Sequence, residues 1–219
     1  MKMKFISKSP LSNYSKVWYY LRVFQKCSFR FIRWHIGSEK FSIKKQEKPL
    51  EFRVFKHQSK LIKNLGNNEM HWQYNKVKNL EISIPVLSGI LIQPGETFSI
   101  WRILGKPTQQ KGYREGMELS RGKARGGIGG GLCQLSNLIH WLVLHSDLKV
   151  KERSQHSFDP FPDQGRVLPY GTGAALFYNY IDLLIYNPTN HVFQINLWIH
   201  NQLLEGEIRS NKQPSETKR

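Results

Sequence analysis

Cysteine is scarce in this chain, which has only Cys27 and Cys133 among its 219 residues. Two cysteines so far apart do not make a disulfide framework, so a reducing compartment is the simpler expectation. Long apolar runs are also absent, because the longest, near residues 17–21 and 86–92, fall short of the roughly 20 residues that a membrane span needs. Residues 7–10 (SKSP) interrupt the apolar stretch of any signal peptide. We therefore expect a cytoplasmic protein, with peripheral contact at the inner membrane face left open.

Acidic residues are few, since 16 Asp and Glu stand against 33 Lys and Arg and give a net charge of +17. Such a charge attracts polyanions, namely nucleic acid, anionic lipid headgroups or an acidic substrate. Nucleic acid is the least favoured partner, because the sequence has no zinc-finger spacing, helix-turn-helix signature or RNP-type aromatic motif. The hydrophobic content of 39% suffices for a sizeable core, which excludes a mainly disordered chain.

Residues 1–50 are predicted to be a basic amphipathic segment followed by a linker. Apolar and basic side chains alternate at helical spacing between residues 11 and 35; they are Tyr14, Trp18, Leu21, Phe24, Phe31 and Ile32, with Lys16, Arg22, Lys26, Arg30 and Arg33. Such a helix either lies in the interface of an anionic membrane or packs on its own domain with a solvated basic face. The polar, Lys-rich residues 38–49 are typical of a linker.

Residues 51–210 are predicted to form one α+β domain with a mostly antiparallel sheet, and residues 211–219 a disordered tail. The clearest helical stripe follows Cys133 and consists of Leu135, Leu138, Ile139, Leu142 and Val143. Periodicity also predicts a helix over residues 52–65 and strands over 80–84, 89–92, 117–120, 149–153, 177–186, 193–199 and 205–209. Residues 156–169 are predicted to be a loop.

Cys133 is the strongest candidate for chemistry, because it follows the glycine-rich residues 126–131 and stands at the start of the predicted helix. Free amides and aligned peptide dipoles at a helix start lower the pKa of a thiol and can donate to an oxyanion. His156, one helix and one strand later, is the nearest candidate base, with Asp159 or Asp163 to orient its imidazole. This pattern favours covalent acyl transfer, although a cysteine beside an apolar helix is often a small buried hydrophobe.

Other polar residues near the motif have weaker interpretations. Arg153 and Arg166 either hold a substrate carboxylate or are solvated cations. His140 and His145 are five positions apart, which does not place two ligands on one helix face. We therefore expect no metal and no cofactor.

Several motifs follow one another over about residues 60–210. They are residues 92–99 (IQPGETFS), Gly112-Tyr113 and Gly116, residues 129–136 (GGGLCQLS), Glu152-Arg153 with His156-Ser157, and the hairpin around Asp182 and Asn187. In content and in order they resemble the motifs of the VanW-like family. Residues 75–80 (NKVKNL) also resemble the stretch that precedes the domain in stand-alone members.

The family is named after an accessory gene product of vancomycin-resistance clusters, and some related cell-wall domains resemble cysteine-dependent transpeptidases. The resemblance therefore implies a thiol acyltransferase that acts on cell-wall peptides or precursors. Cys133 is then the nucleophile and His156 its base. Asp159 remains the candidate orienting acid from the residues themselves, and the candidate substrate contacts are Gly130, Gly131, Gln134, Ser136, Arg153 and Ser157.

One departure from the family pattern qualifies what the resemblance implies. Secreted relatives tend to have Gly-x-Asp-Ala where this chain has Gly171-Thr172-Gly173-Ala174, so an orienting carboxylate must come from elsewhere. The alternative function is a non-catalytic accessory protein, which binds a wall precursor or a membrane partner through the same pocket.

Overall fold

The computed structural model describes residues 16–62, 70–120, 123–155, 172–178 and 181–213. The chain divides into two compact units, Met1–Ser38 and Glu39–Arg219. The first unit contains helix α1 (Lys16–His35), so the helix expected in this segment is confirmed. None of the described helices combines the length and the hydropathy required to cross a membrane.

The second unit contains three helices and nine strands within its described residues. In chain order they are β1 (Phe52–Lys60), α2 (Met70–Leu87), β2 (Ile90–Ile92), β3 (Thr97–Ser99), α3 (Ile100–Leu104), β4 (Glu115–Ser120), β5 (Lys123–Ile128), α4 (Cys133–Leu144), β6 (Lys149–Glu152), β7 (Leu184–Tyr186), β8 (Phe193–His200) and β9 (Leu203–Ser210). These strands form sheets of order β1-β9-β8-β2, β3-β7-β6 and β4-β5. Every strand pair is antiparallel, which confirms the predicted α+β fold.

Helix α4 packs on the largest sheet through the apolar stripe that the sequence predicted. Leu135, Leu138, Ile139, Leu142 and Val143 are all buried. Gly206 of β9 permits the close approach, because a Cβ there would lie 3.1 Å from Leu138 Cδ2 and 3.2 Å from Leu142 Cδ1. The β8–β9 hairpin turns at Asn201 and Gln202, whose φ angles of 47° and 60° match the type I′ turns that fit the twist of paired strands.

Two predicted elements are wrong. Residues 52–65 were expected to be a helix, but residues 52–60 form β1, whose whole length pairs with β9. Residues 80–84 were expected to be a strand, but they lie inside α2, where Leu80, Ser83, Ile84 and Leu87 are buried at helical spacing. Both errors have the same cause: a short apolar run fits either period, and tertiary pairing decides between them.

The remaining strand predictions agree with the structure in position. Strands were expected over 89–92, 117–120, 149–153, 193–199 and 205–209, and β2, β4, β6, β8 and β9 occupy these places. The strand expected over 177–186 is shorter, since β7 covers only its last three residues and Phe177 forms an isolated bridge with Ile181. The loop expected over 156–169 lies outside the described residues.

Residues 39–49, nearly all of the predicted linker 38–49, are hydrogen-bonded to the rest of the second unit. Ser42 N donates to Thr97 O over 3.0 Å, and Leu91 N donates to Lys44 O over 2.9 Å. Phe41 is buried, with 8% of its surface exposed. This stretch is therefore part of the folded unit rather than a free connection, while the functional division proposed near residue 50 stays a prediction.

Candidate functional site

Asn79 of α2, whose side chain is fully buried, hydrogen-bonds the glycine-rich loop before Cys133. Its Nδ2 donates to the carbonyls of Arg114 and Gly130 over 3.0 and 2.9 Å, and its Oδ1 accepts from the Arg114 amide over 2.8 Å. A Cβ at Gly130 would lie 2.1 Å from the carbonyl oxygen of Gly116. The glycines at these two positions therefore let the loop and β4 touch through their backbones.

The chain then turns through Gly131, which has a φ of 91°, a left-handed conformation that favours glycine. A Cβ here would also lie 2.2 Å from Cγ of Lys76, because the Lys76 stem crosses directly over the loop. Lys76 is itself buried, and its Nζ donates to the Leu61 carbonyl and, over 2.8 Å, to Gln73 Oε1. Helix α4 starts two residues later, at Cys133.

A cavity of about 290 Å³ opens beside Cys133. The glycine loop, the β4–β5 hairpin and residues 175–178 form its walls, together with Trp101 of α3. Its polar and aromatic lining includes Lys106, Glu118 and Tyr178. Trp101 and Tyr178 meet edge to face, with ring centroids 5.7 Å apart. The cavity thus combines a thiol, a cation, a carboxylate and an aromatic wall.

Residues 174 and 175 lead into the cavity wall at residues 175–178, and hydrogen bonds to α4 and to Ser154 fix their position. The Ala174 amide donates to Asn137 Oδ1 over 2.6 Å, and the Ala175 amide donates to the Ser154 carbonyl over 2.8 Å. The next amide, that of Leu176, hydrogen-bonds the Cys133 sulfur. The thiol therefore faces backbone donors from its own helix start and from this wall.

Burial dominates the protonation of Cys133. It raises the pKa of the thiol to about 11, and the negative charge of Glu118 adds to the effect. The amides of Leu176 and Cys133 act in the opposite direction without offsetting it. The lowered pKa expected from the helix start is therefore wrong, because loss of water around the sulfur outweighs the donors. The thiol is protonated at neutral pH.

Glu118 is a cavity residue that the sequence interpretation missed. A Cβ at Gly127 of β5 would lie 2.3 Å from Glu118 Cδ, so this glycine makes room for the carboxylate on the neighbouring strand. Burial raises the pKa of Glu118, while Arg125, with Nη2 3.5 Å from Glu118 Oε2, lowers it. The sequence signal for this arrangement was the glycine pair at 126–127. We included these glycines in the glycine-rich stretch before Cys133, whereas they lie in β5.

The predicted site residues fall into three groups. Cys133, Gly130 and Gly131 line the cavity. Gln134, Ser136 and Arg153 are not among its lining residues. His156, Ser157 and Asp159, with Asp163 and Arg166, lie outside the described residues, so their roles stay predictions.

The second group makes contacts with the protein itself. Gln134 Nε2 donates to Ser59 Oγ and Lys60 O over 3.0 and 2.8 Å, which joins the start of α4 to β1. Ser136 Oγ is buried and donates to the Ala174 carbonyl over 2.5 Å. Arg153 Nη1 donates to the Gly173 carbonyl over 3.0 Å. These side chains position the cavity walls, and direct contact with a substrate stays a prediction for them.

His140 of α4 and His145, which follows its last residue, make their contacts elsewhere than at Cys133. His140 is buried and its Nδ1 lies 2.9 Å from Thr172 O. His145 stacks on Phe55 with ring centroids 3.9 Å apart. Within the described part of the chain, no imidazole hydrogen-bonds the Cys133 sulfur, and no three metal-binding side chains converge.

Fold and site together define an α+β domain with one cysteine at a helix start, set behind a glycine loop and facing a cavity. A family model described as VanW like protein matches residues 75–209, and the chain belongs to this VanW-like family. The matched range covers the glycine loop, α4 and the hairpin that follows.

Two curated relatives show how far the similarity extends. The Vancomycin B-type resistance protein VanW of Enterococcus faecalis (strain ATCC 700802 / V583) is 34% identical over 168 residues, which are 77% of this chain and 61% of that protein. The Uncharacterized protein YoaR of Bacillus subtilis (strain 168) is 30% identical over 89 residues, which are 40% of this chain and 29% of that protein. The chain thus spans less than two thirds of either relative. No solved structure matches it.

Proposed function

We propose that this VanW-like protein is a cysteine-dependent acyltransferase that acts on cell-wall peptides or their precursors. The observation that carries the proposal is the position of Cys133, at the start of α4 and in the lining of a 290 Å³ cavity. The backbone amide of Leu176 hydrogen-bonds its sulfur from the facing wall, and the amide of Cys133 itself also lowers the pKa of the thiol. Donors placed in this way also stabilise the oxyanion that forms when a thiol attacks a carbonyl.

The reaction has two half-steps. Cys133 Sγ attacks the carbonyl carbon of a peptide bond, a C–S bond forms, the C–N bond breaks, and the thiol proton passes through a base to the leaving amine. An acceptor amine then attacks the thioester and restores the thiol. Because the pKa of Cys133 is about 11, the thiol carries its proton at neutral pH, and attack requires a base that removes it in the transition state.

Two groups are candidates for this base. His156 is the group that the family resemblance implies. Glu118 is the carboxylate that shares the cavity with Cys133 and whose charge raises the pKa of that thiol. The raised pKa of Glu118 makes it a better proton acceptor than an ordinary surface carboxylate. Asp159 keeps its proposed role as the group that orients the imidazole.

The proposed substrate class follows from the relatives and from the charge. A relative of this chain is named for vancomycin B-type resistance, and we extend that link with cell-wall chemistry to this protein. The net charge of +17 suits an anionic peptide or precursor. Lys106 in the cavity lining supplies a cation for a substrate carboxylate, with the backbone of Gly130 and Gly131 beside the scissile carbonyl.

A second function has support of its own. The high pKa of Cys133 is also what a small buried side chain shows when it takes no part in chemistry. In that case the cavity binds a wall precursor without reacting, and the protein is an accessory component. The two functions differ in one respect that can be measured, namely a covalent bond to Cys133.

Intact-protein mass spectrometry after incubation with muropeptides from muramidase-digested peptidoglycan tests the proposal. We expect an added mass in the Cys27→Ser protein, lost on hydroxylamine treatment and absent from the Cys27→Ser/Cys133→Ala protein. Loss of the adduct in His156→Ala or in Glu118→Gln identifies the base. His200→Ala, at an exposed histidine beside the β8–β9 turn, is the matched control and should keep it.

The outcomes separate the two functions. Muropeptides that protect Cys133 from alkylation without adding mass would establish binding without catalysis. If the muropeptides neither protect Cys133 from alkylation nor add mass, both functions are contradicted.

A further inference from the structure

Helix α1 carries an apolar face that its own unit leaves exposed. The face consists of Val17, Tyr20, Leu21, Phe24, Phe31 and Ile32, which are 67, 68, 52, 72, 57 and 48% exposed. Their spacing by three, four and seven residues places them on one side of a helix. Apolar side chains that large usually face a core, so their exposure requires a partner.

A basic row lies on the opposite side of the same helix. Arg22, Lys26, Arg30 and Arg33 follow one another at intervals of four, four and three residues, which aligns them along one face. No acidic residue occurs among residues 1–38. The charge of the helix is therefore of one sign from end to end.

We propose that α1 binds the surface of an anionic membrane and lies in its interface. The apolar face enters the boundary between headgroups and acyl chains, and the basic row stays among the lipid phosphates and the water above them. A helix of 20 residues is about 30 Å long, so its basic row extends over several headgroups. The basic row also explains why α1 lies on the bilayer and does not span it.

An anionic lipid surface satisfies both faces of the helix, whereas a nucleic acid satisfies one. A nucleic acid pairs with the cations but leaves Phe24 and Phe31 in water. An anionic bilayer both covers the rings and attracts the cations. This surface lies outside the cavity at Cys133, so its function stands independently of the acyl-transfer proposal.

Co-sedimentation of the full chain with vesicles tests the proposal at physiological salt. We expect binding to mixed phosphatidylcholine–phosphatidylglycerol vesicles and weak binding to phosphatidylcholine alone. Phe24→Gln/Phe31→Gln should weaken binding about tenfold or more, because the apolar face supplies much of the interfacial affinity. Ile43→Gln/Tyr74→Gln, at exposed apolar positions of the second unit, is the matched control and should bind as the wild type does.

Charge is tested with a second matched pair. Arg22→Gln/Lys26→Gln should bind mixed vesicles about tenfold less well than Lys44→Gln/Lys48→Gln, which removes the same charge from exposed positions outside α1. Equal binding by all four variants would show attraction of a basic chain alone and overturn the proposal. Failure of the wild type to bind mixed vesicles, or tight binding to a DNA duplex in their place, would overturn it as well.

Discussion

The side-chain amide of Asn79 hydrogen-bonds the carbonyl of Gly130 over 2.9 Å and so joins α2 to the loop that ends at Cys133. The same amide reaches Arg114, just before β4. One buried residue therefore sets the distance between the strand that carries Glu118 and the turn that carries the thiol. The geometry of the cavity depends on α2, although none of its residues lines the cavity.

Asn79→Ala should destabilise the fold by about 2–4 kcal/mol, because it leaves buried backbone groups without partners. Urea unfolding measures the loss. Asn75→Ala is the graded control: it removes a single hydrogen bond, to the Glu115 carbonyl, and should cost about 1 kcal/mol or less. Equal effects of the two substitutions would mean that Asn79 does not hold the loop.

Gly131→Ala should disrupt the turn before α4. Alanine at a left-handed φ costs about 1–2 kcal/mol, and its Cβ would also meet the stem of Lys76. Gly95→Ala separates these effects, since Gly95 has a φ of 77° with nothing within 4 Å of an added Cβ. We expect Gly131→Ala to lose about 1–3 kcal/mol more than Gly95→Ala in thermal unfolding. Equal losses would show that Lys76 moves aside freely.

The stability of the fold should fall in mild acid. Burial lowers the pKa of His57, with a further contribution from His145, and burial also lowers the pKa of His140. Because both folded-state pKa values lie below the unfolded value of about 6.5, the unfolded chain binds protons first as the pH falls. The free energy of unfolding therefore has its full value above about pH 6.5 and decreases as the pH falls from there through the folded-state pKa values of the two histidines.

Thermal unfolding at neutral pH and at about pH 5 measures this dependence. His57→Gln and His140→Gln should each reduce the difference in melting temperature between the two conditions. His200→Ala, at an exposed position, should leave it unchanged. A difference as large in the His57→Gln and His140→Gln variants as in the wild type would contradict the assignment.

The sequence predicted the parts of this fold that local pattern determines. Helix α4 is one example, because five apolar residues at helical spacing allow only one interpretation. The β8 and β9 strands are another, since alternation and a turn mark them both. The apolar residues of 52–65 and 80–84 fit two periods, and only pairing with β9 or packing against β4 decides between them.

The chemistry of Cys133 was harder to predict than its position. A helix start and a glycine run indicate a lowered pKa for the thiol. The opposite shift depends on the cavity wall at residues 175–178 and on Glu118, which lie outside the sequence motif around Cys133. No local sequence pattern reports that distant segments remove water from the thiol. Nor does any local pattern report that Gly127 leaves space for the Glu118 side chain.

The pH dependence of Cys133 alkylation by iodoacetamide tests most directly the central claim, that a cavity-facing thiol keeps its proton until a base removes it. In the Cys27→Ser protein the rate should rise with an apparent pKa of about 11. Glu118→Gln should lower that pKa by removing a negative charge, whereas Glu115→Gln, outside the cavity lining, should change it less. An apparent pKa at or below the ordinary value of about 8.5, or one that Glu118→Gln leaves unchanged, would contradict the account.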